Sequence, residues 1–365
     1  MKKRLIIFMP SIEGGGVEKN LFIVANYLTR KIKRVSLISA SKKYKNRFQK
    51  SIAFISPKSD KWDLKSRKLK YLVCLILLLR EILRDRNVLV FAFQANIYCI
   101  LICKLLGIKI ITRSNTAPEG WSKSIFKKTI FKFFLNMADQ VIANSYDFIR
   151  SLKYEFNVDG KCIYNPLDKR EIEKKSKITT KKYFNKKSTL RIINIGRFVD
   201  QKDQITFLKA LNLIKHKIDF EAILIGKGND EVMLKNFINK NKLKNKIKLV
   251  NFVENPYPIL REAEILVLSS KFEGLPNVLL EAQVLKKFII SSNCPTGPRE
   301  ILLNGKGGLL FEIGNFKELA DKIIFYKKNK KKLSKLIKLS YKKLYRFDYN
   351  SNLNKYFELI KKFQI

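Results

Sequence analysis

Two glutamates, Glu273 and Glu281, stand eight residues apart in the stretch KFEGLPNVLLEAQVL (271–285). The apolar run EILVLSS (264–270) precedes them and has the pattern of a buried strand. Pro276 then suits the first turn of a helix, where its missing N–H is not needed. Strand, tight loop and helix in that order aim several backbone N–H groups at one point, and such a point attracts phosphate. The loop is Gly274, Leu275, Pro276 and Asn277, and Gly274 lets the backbone come close to a ligand. A nucleotide diphosphate suits this set: amides for the phosphates, one carboxylate for ribose hydroxyls and the other for a second polyol. On its own, a pair of Glu at this spacing is far more often two solvated helix charges than a site.

The context changes that weighing. SSKFEGLPNVLLEA (269–282) resembles the signature of the retaining glycosyltransferases of family four, and CPTGPREIL (294–302) resembles a subset acting in bacterial surface-polysaccharide and oligosaccharide assembly. The resemblance implies an α/β chain with the GT-B fold, two facing Rossmann-like doubly wound domains and a cleft between them. It implies transfer of a hexose or N-acetylhexosamine from a nucleotide diphosphate, expected to be a UDP-sugar, to a lipid-linked or oligosaccharide acceptor. No metal and no other cofactor is expected. In that scheme Glu273 holds hydroxyls of the donor sugar, Glu281 holds the ribose, and Arg299 lines the sugar pocket with Pro298 and Glu300.

Further motifs fit the same resemblance. In NIGRFVDQK (194–202), Arg197 and Lys202 resemble the cations that hold the donor diphosphate, and with Glu273 they are the expected catalytic groups. A diphosphate gains charge as the glycosidic bond breaks, and two fixed cations meet that need. Gly226 in IGKGND (225–230) resembles the loop bordering the nucleotide base. Gly14, Gly15 and Gly16 in EGGGVEKN (13–20) resemble the loop lying against the donor phosphates. Three glycines in a row cost backbone entropy, so close approach or positive φ is expected there. No dinucleotide fingerprint G-x-G-x-x-G with a following acid is present.

Two departures stand out. Many family members place a His at the end of the strand corresponding to 109–112, where this chain has Arg113, Ser114 and Asn115. Its one His, His216, falls at the end of a helix pattern elsewhere. Ser114 and Asn115 are therefore the candidate acceptor-side residues, and a sugar-nucleotide-binding relative without turnover is the alternative. After Glu281, the usual Gly-Lys-Pro run is replaced by Lys286, Lys287 and Phe288.

The elements that must position these groups follow from length and patterning. The 365 residues suffice for two domains, and 46% apolar content suits packed cores. Apolar runs alternate with helix-length segments throughout, as two parallel sheets require. The expected divisions are a first domain over 1–168, a linker over 169–188, a nucleotide-sugar domain over 189–345, and a terminal helix over 346–365 that returns to the first domain. Segment 40–68 carries no assignable pattern. Helices are expected over 316–325 and 330–345.

The formal charge of +44 attracts anions without saying which. Nucleic acid, an anionic membrane face and nucleotide phosphates all fit charge alone, as does a compositional habit of solvated lysines. No nucleic-acid recognition motif appears and the basic residues spread over both halves, so nucleic acid is not the expected partner. Segment 121–136 (WSKSIFKKTIFKFFLN) interleaves aromatics with Lys, which suits a helix lying on anionic lipid as well as it suits a core helix. The expected location is the cytoplasm, peripheral at the inner face of the plasma membrane. Five scattered cysteines with no CxxC pair imply buried free thiols.

Overall fold

The computed structural model describes residues 3–13, 15–115, 124–179, 182–185 and 189–364. Gly14, residues 116–120 and the start of the aromatic segment at 121–123 lie outside them. The chain divides into two compact units, Met1–Pro166 with Tyr349–Ile365, and Leu167–Asp348. Each is a doubly wound parallel sheet.

The first unit holds β1 (Arg4–Phe8), α1 (Gly16–Lys31), β2 (Val35–Ile38), β3 (Ala53–Ile55), α2 (Arg67–Arg84), β4 (Val88–Ala92), α3 (Asn96–Leu105), β5 (Lys109–Ser114), α4 (Ile125–Met137), β6 (Gln140–Ala143), α5 (Tyr146–Phe156) and β7 (Gly160–Cys162). The strand order is β3-β2-β1-β4-β5-β6-β7. The run RLIIF shows why the pattern is continuous rather than alternating. Leu5 and Ile7 enter a core with α1 and the C-terminal helix Tyr349–Phe363, while Ile6 and Phe8 enter the core on the opposite face with α2. A strand covered on both faces must be apolar at every position. The C-terminal helix turns Leu353, Tyr356 and Ile360 inward, at the spacing of one helix face.

The second unit holds α6 (Lys169–Ser176), β8 (Leu190–Ile195), α7 (Gln204–Ile214), β9 (Phe220–Ile225), α8 (Glu231–Lys240), β10 (Ile247–Val250), α9 (Tyr257–Glu262), β11 (Ile265–Leu268), α10 (Asn277–Val284), β12 (Phe288–Ser292), α11 (Pro298–Ile301), β13 (Leu309–Phe311) and α12 (Phe316–Lys342). Its strand order is β10-β9-β8-β11-β12-β13, with every neighbouring pair parallel. Phe288 stacks on Tyr326 of α12 with ring centroids 4.5 Å apart, joining that helix to the sheet.

The fold adds detail to three expectations. The stretch 169–188 does not begin as linker: α6 occupies its first part, with Ile172 buried and the Asp168 carboxylate capping the Glu171 N–H at 2.9 Å. The cap and the packing of Ile172 and Ser176 help fix a helix too polar to register by composition. The two helices expected near the C-terminus meet at a kink within α12, at the non-helical Asn329 (φ −119°, ψ 24°), whose side-chain amide donates to the Phe325 carbonyl at 2.9 Å. Segment 40–68 contributes the edge strand β3 between two short 3-10 turns.

Candidate functional site

In the second unit the chain runs β8, β9, β10 outward from the middle of the sheet and then returns to β11 on the other side of β8. The carboxyl ends of β8 and β11 therefore flank a topological switch point, where open α/β sheets leave a crevice. The loop after β8 carries Arg197 and Lys202, and the loop after β11 carries Glu273.

Hydrogen bonds and ion pairs, Lys271 to Asp200 among them, lock these loops together. The Ser269 hydroxyl donates to the Lys202 carbonyl at 3.0 Å, and the Lys271 N–H to the Gln201 carbonyl at 2.8 Å. The Gln201 amide donates to the Phe272 carbonyl at 2.9 Å. Lys202 Nζ reaches Glu273 Oε1 at 2.5 Å. The Ser270 hydroxyl donates to the same oxygen at 2.6 Å, and Glu273 is 6% exposed. Among the described residues Glu273 Oε2 has no hydrogen-bond partner. Arg197 is exposed, and its guanidinium has neither an ion pair nor a hydrogen bond among the described residues.

Glu281 lies in the second turn of α10, 8% exposed, and its Oε1 accepts from the Tyr257 hydroxyl of α9 at 3.0 Å. Pro276 is the N-cap of α10 rather than a first-turn residue, and Asn277 opens the helix. Gly274 and Leu275 are buried. Gly274 does not have positive φ; the demanding glycine is its neighbour Gly297 (φ +80°), where a Cβ would fall 2.3 Å from the Gly274 carbonyl oxygen. The Thr296 hydroxyl donates to the Glu273 carbonyl at 2.6 Å, tying the loop after β12 to the same place. Arg299 of α11 is exposed and donates to Asn293 Oδ1 at 3.0 Å.

Gly226 serves packing of the unit itself. A Cβ there would lie 2.0 Å from the Gly196 carbonyl oxygen, so the loops after β8 and β9 touch backbone to backbone. Gly15 caps α1 with φ −87°, and neither it nor Gly16 at the helix start has positive φ. The glycine run therefore does not use left-handed backbone at these two positions.

Burial keeps the thiols protonated. Burial, with the Glu273 charge adding to it, pushes Cys294 up to about 12, and burial pushes Cys74 and Cys103 up to about 12. Among the described residues no three His, Cys, Asp or Glu gather as a metal site would need. No helix among them is long and apolar enough to cross a membrane.

In the first unit, Ser114 ends β5 and Asn115 follows it; both line a cavity of about 790 Å³. Asn115 donates to the Phe93 carbonyl at 3.1 Å and accepts from Arg113. The sequence reading missed Arg113 as a buried residue, along with the partners Tyr257, Ser270 and Thr296. Of these, Arg113, Ser270 and Thr296 lay inside stretches already singled out, and Tyr257 did not.

Comparison with known proteins places these features. The model described as Glycosyltransferase Family 4 matches residues 14–171, and the one described as Glycosyl transferases group 1 matches 175–343. An uncharacterized glycosyltransferase of Methanocaldococcus jannaschii is 29% identical over 197 residues, 52% of this chain and 48% of its own length. The N-acetylgalactosamine-N,N'-diacetylbacillosaminyl-diphospho-undecaprenol 4-alpha-N-acetylgalactosaminyltransferase of Campylobacter jejuni is 26% identical over 333 residues, 86% of this chain and 87% of its own. The solved structure of Anabaena HepE with UDP-glucose superposes with a TM-score of 0.78 at 17% identity, covering 99% of this chain and 100% of that one. Two Rossmann-like units of this kind are the GT-B fold. The two units thus match, in order, a Glycosyltransferase Family 4 model and a Glycosyl transferases group 1 model, which together span most of the chain.

Proposed function

We propose that the protein transfers a hexose or N-acetylhexosamine from a UDP-sugar to a lipid-linked glycan acceptor in polysaccharide or oligosaccharide assembly. Transfer retains the anomeric configuration and uses no metal. The observation that carries this reading is the Lys202–Glu273 pair at the switch point: one carboxylate oxygen is held by the protein and the other is left for a sugar hydroxyl. The bond from the anomeric carbon to the diphosphate oxygen breaks, and the acceptor oxygen bonds the same face of that carbon. The acceptor proton passes to the departing diphosphate. Lys202 and Arg197 neutralise the charge that develops there, and Glu281 with Tyr257 holds the ribose. The diphospho-undecaprenol in the Campylobacter relative's name and the UDP-glucose bound to HepE support the choice of acceptor and donor. The protein would work in the cytoplasm, against the inner face of a membrane.

The test is transfer from a panel of UDP-, GDP- and ADP-sugars by wild-type, Arg197→Ala and Glu281→Ala proteins in chelator. Wild-type rates in both variants would remove the assignment.

A further inference from the structure

Helix α11, which carries Arg299, is only four residues long and cannot hold its own place. The turn leading into it is left-handed at two successive residues, Thr296 (φ 59°) and Gly297 (φ 80°), and backbone of that kind persists only where its surroundings hold it. At the front of α11 the Thr296 hydroxyl donates to the Glu273 carbonyl at 2.6 Å, and Gly297 lies so close to the Gly274 carbonyl that no Cβ would fit. At the back the holding group is Arg346. Its Nη1 donates to the Glu300 carbonyl at 3.2 Å and its Nη2 to the Ile301 carbonyl at 3.4 Å, while its Nε donates to the Lys343 carbonyl at 3.2 Å. The last carbonyls of a helix have no partner within the helix, and one guanidinium supplies two of them here. Gln283 of α10, itself buried, adds a second donor to the Ile301 carbonyl at 3.3 Å.

The place of Arg346 in the chain gives this clamp a further meaning. It belongs to a 3-10 turn, Lys343–Phe347, which ends where the chain leaves the second unit. The other crossing lies against the same turn: the Leu167 N–H donates to the Phe347 carbonyl at 2.9 Å, and Leu167 pairs with Asp348 as a parallel bridge. Both crossings, at 166–167 and at 348–349, therefore meet in the segment from which Arg346 reaches α11. Phe347 is completely buried, and the Arg346 guanidinium lies 4.9 Å from the centre of its ring, so the base of the clamp is fixed. Glu281 and Tyr257, the groups for the ribose, hold each other at 3.0 Å on α10 and α9.

We infer that Arg346 is a positioning residue that sets how tightly the sugar half of the donor is held, and that it ties this grip to the segment where the chain passes between its two units. The inference rests on the glycosyltransferase reading and adds to it a specificity-determining residue that acts through α11 rather than on the substrate. Arg346 fixes the last carbonyls of α11, and through that helix the reach of Arg299 beside Glu273. The nucleotide half, held on α9 and α10, keeps its place without it.

Titration calorimetry of the full-length protein with UDP, UDP-glucose and UDP-N-acetylglucosamine tests this. In Arg346→Gln the affinity for UDP should stay within about twofold of wild type, while that for the better-bound UDP-sugar should fall roughly tenfold through the loss of two charge-assisted hydrogen bonds. Arg346→Lys keeps a cation and should recover part of the loss. Gln283→Met removes only the second donor to the Ile301 carbonyl and should lower the ratio of UDP-sugar to UDP affinity by a smaller factor, so it carries the test where Arg346→Gln fails to fold. Equal losses for UDP and the UDP-sugar, or an unchanged ratio in a folded Arg346→Gln protein, overturn the inference and leave the enzyme reading standing. A wild-type ratio in Gln283→Met, where that variant carries the test, does the same. A wild-type protein that binds neither UDP nor either UDP-sugar overturns the UDP-sugar reading, and the inference falls with it.

Discussion

Lys202 Nζ lies 2.5 Å from Glu273 Oε1, and the two residues come from loops whose strands, β8 and β11, are neighbours in the sheet although 71 positions separate the side chains in sequence. The stem of Lys202 runs over Gly196, where a Cβ would sit 3.5 Å from it. Lys202→Met keeps that stem and removes only the charge. Its kcat should fall by about 10²- to 10³-fold, as when one group stabilising a developing anion is lost. Lys202→Arg should restore little, because a planar guanidinium does not fit the place of a point charge. Steady-state kinetics with the best donor checks both; a Met variant within twofold of wild type would remove Lys202 from the chemistry.

Tyr257 acts through Glu281, its hydroxyl 3.0 Å from the carboxylate. Tyr257→Phe removes one hydrogen bond and leaves the ring, at about 0.5–1.5 kcal/mol. If Glu281 binds ribose equally in ground and transition states, KM for the donor should rise by about two- to tenfold with kcat unchanged. A fall in kcat at constant KM would place Tyr257 elsewhere in the reaction.

Gly226→Ala should destabilise the second unit. The added methyl would sit 2.0 Å from the Gly196 carbonyl oxygen and 2.9 Å from the Phe198 ring, and rigid neighbours of this kind cost about 1–3 kcal/mol or more. Gly15→Ala meets only the far end of the Glu18 side chain, 2.9 Å away, and should shift the melting temperature less. Denaturant unfolding of the two variants side by side checks the order.

Much of this was legible in the chain before folding. The strand runs could be read because sheets covered on both faces demand unbroken apolar stretches, as in RLIIF and EILVLSS. The loops after β8 and β11 could be read because their cations and carboxylate sit at strand ends. Tyr257 left no local trace: α9 is six residues long, and what makes Tyr257 matter is the approach of α10. Arg113 was hidden by the ordinary rule that arginines stay solvated, a rule broken here by Tyr356 from the far end of the chain. α6 did leave a trace, because Asp168 and Glu171 are spaced as an N-cap and its third helical residue. Composition alone masked it.

Cysteine reactivity should follow burial. Cys74, Cys99, Cys103 and Cys294 are buried, while Cys162 is half-buried. Burial holds Cys99 well above the ordinary thiol value and Cys74, Cys103 and Cys294 at about 12, so almost no thiolate is present at neutral pH. An aromatic disulfide reagent should titrate Cys162 alone in the native protein and all five thiols in denaturant. Rapid native labelling of a second cysteine would contradict the buried placement.

Lys287 stands where a Gly-Lys-Pro run was expected, and its place in the fold sets a pH dependence. Burial, with the charges of Arg191 and Arg261 adding to it and Glu264 opposing, pushes it down to about 8 from 10.5. Its ammonium donates to the Arg261 carbonyl. Below about 8 both folded and unfolded chains carry the proton, so the cost of burying the charge is present in full. Between about 8 and 10.5 the folded state releases the proton first and the unfolded state binds more, so this residue's contribution to stability rises with pH. Lys287→Met removes the charge and should melt above wild type at pH 7. Other groups titrate alike in both proteins, so the difference between them is the readout, and it should narrow as pH climbs through 8 toward 10.5. A difference that stays constant over that range would mean the ammonium is not desolvated in the folded chain.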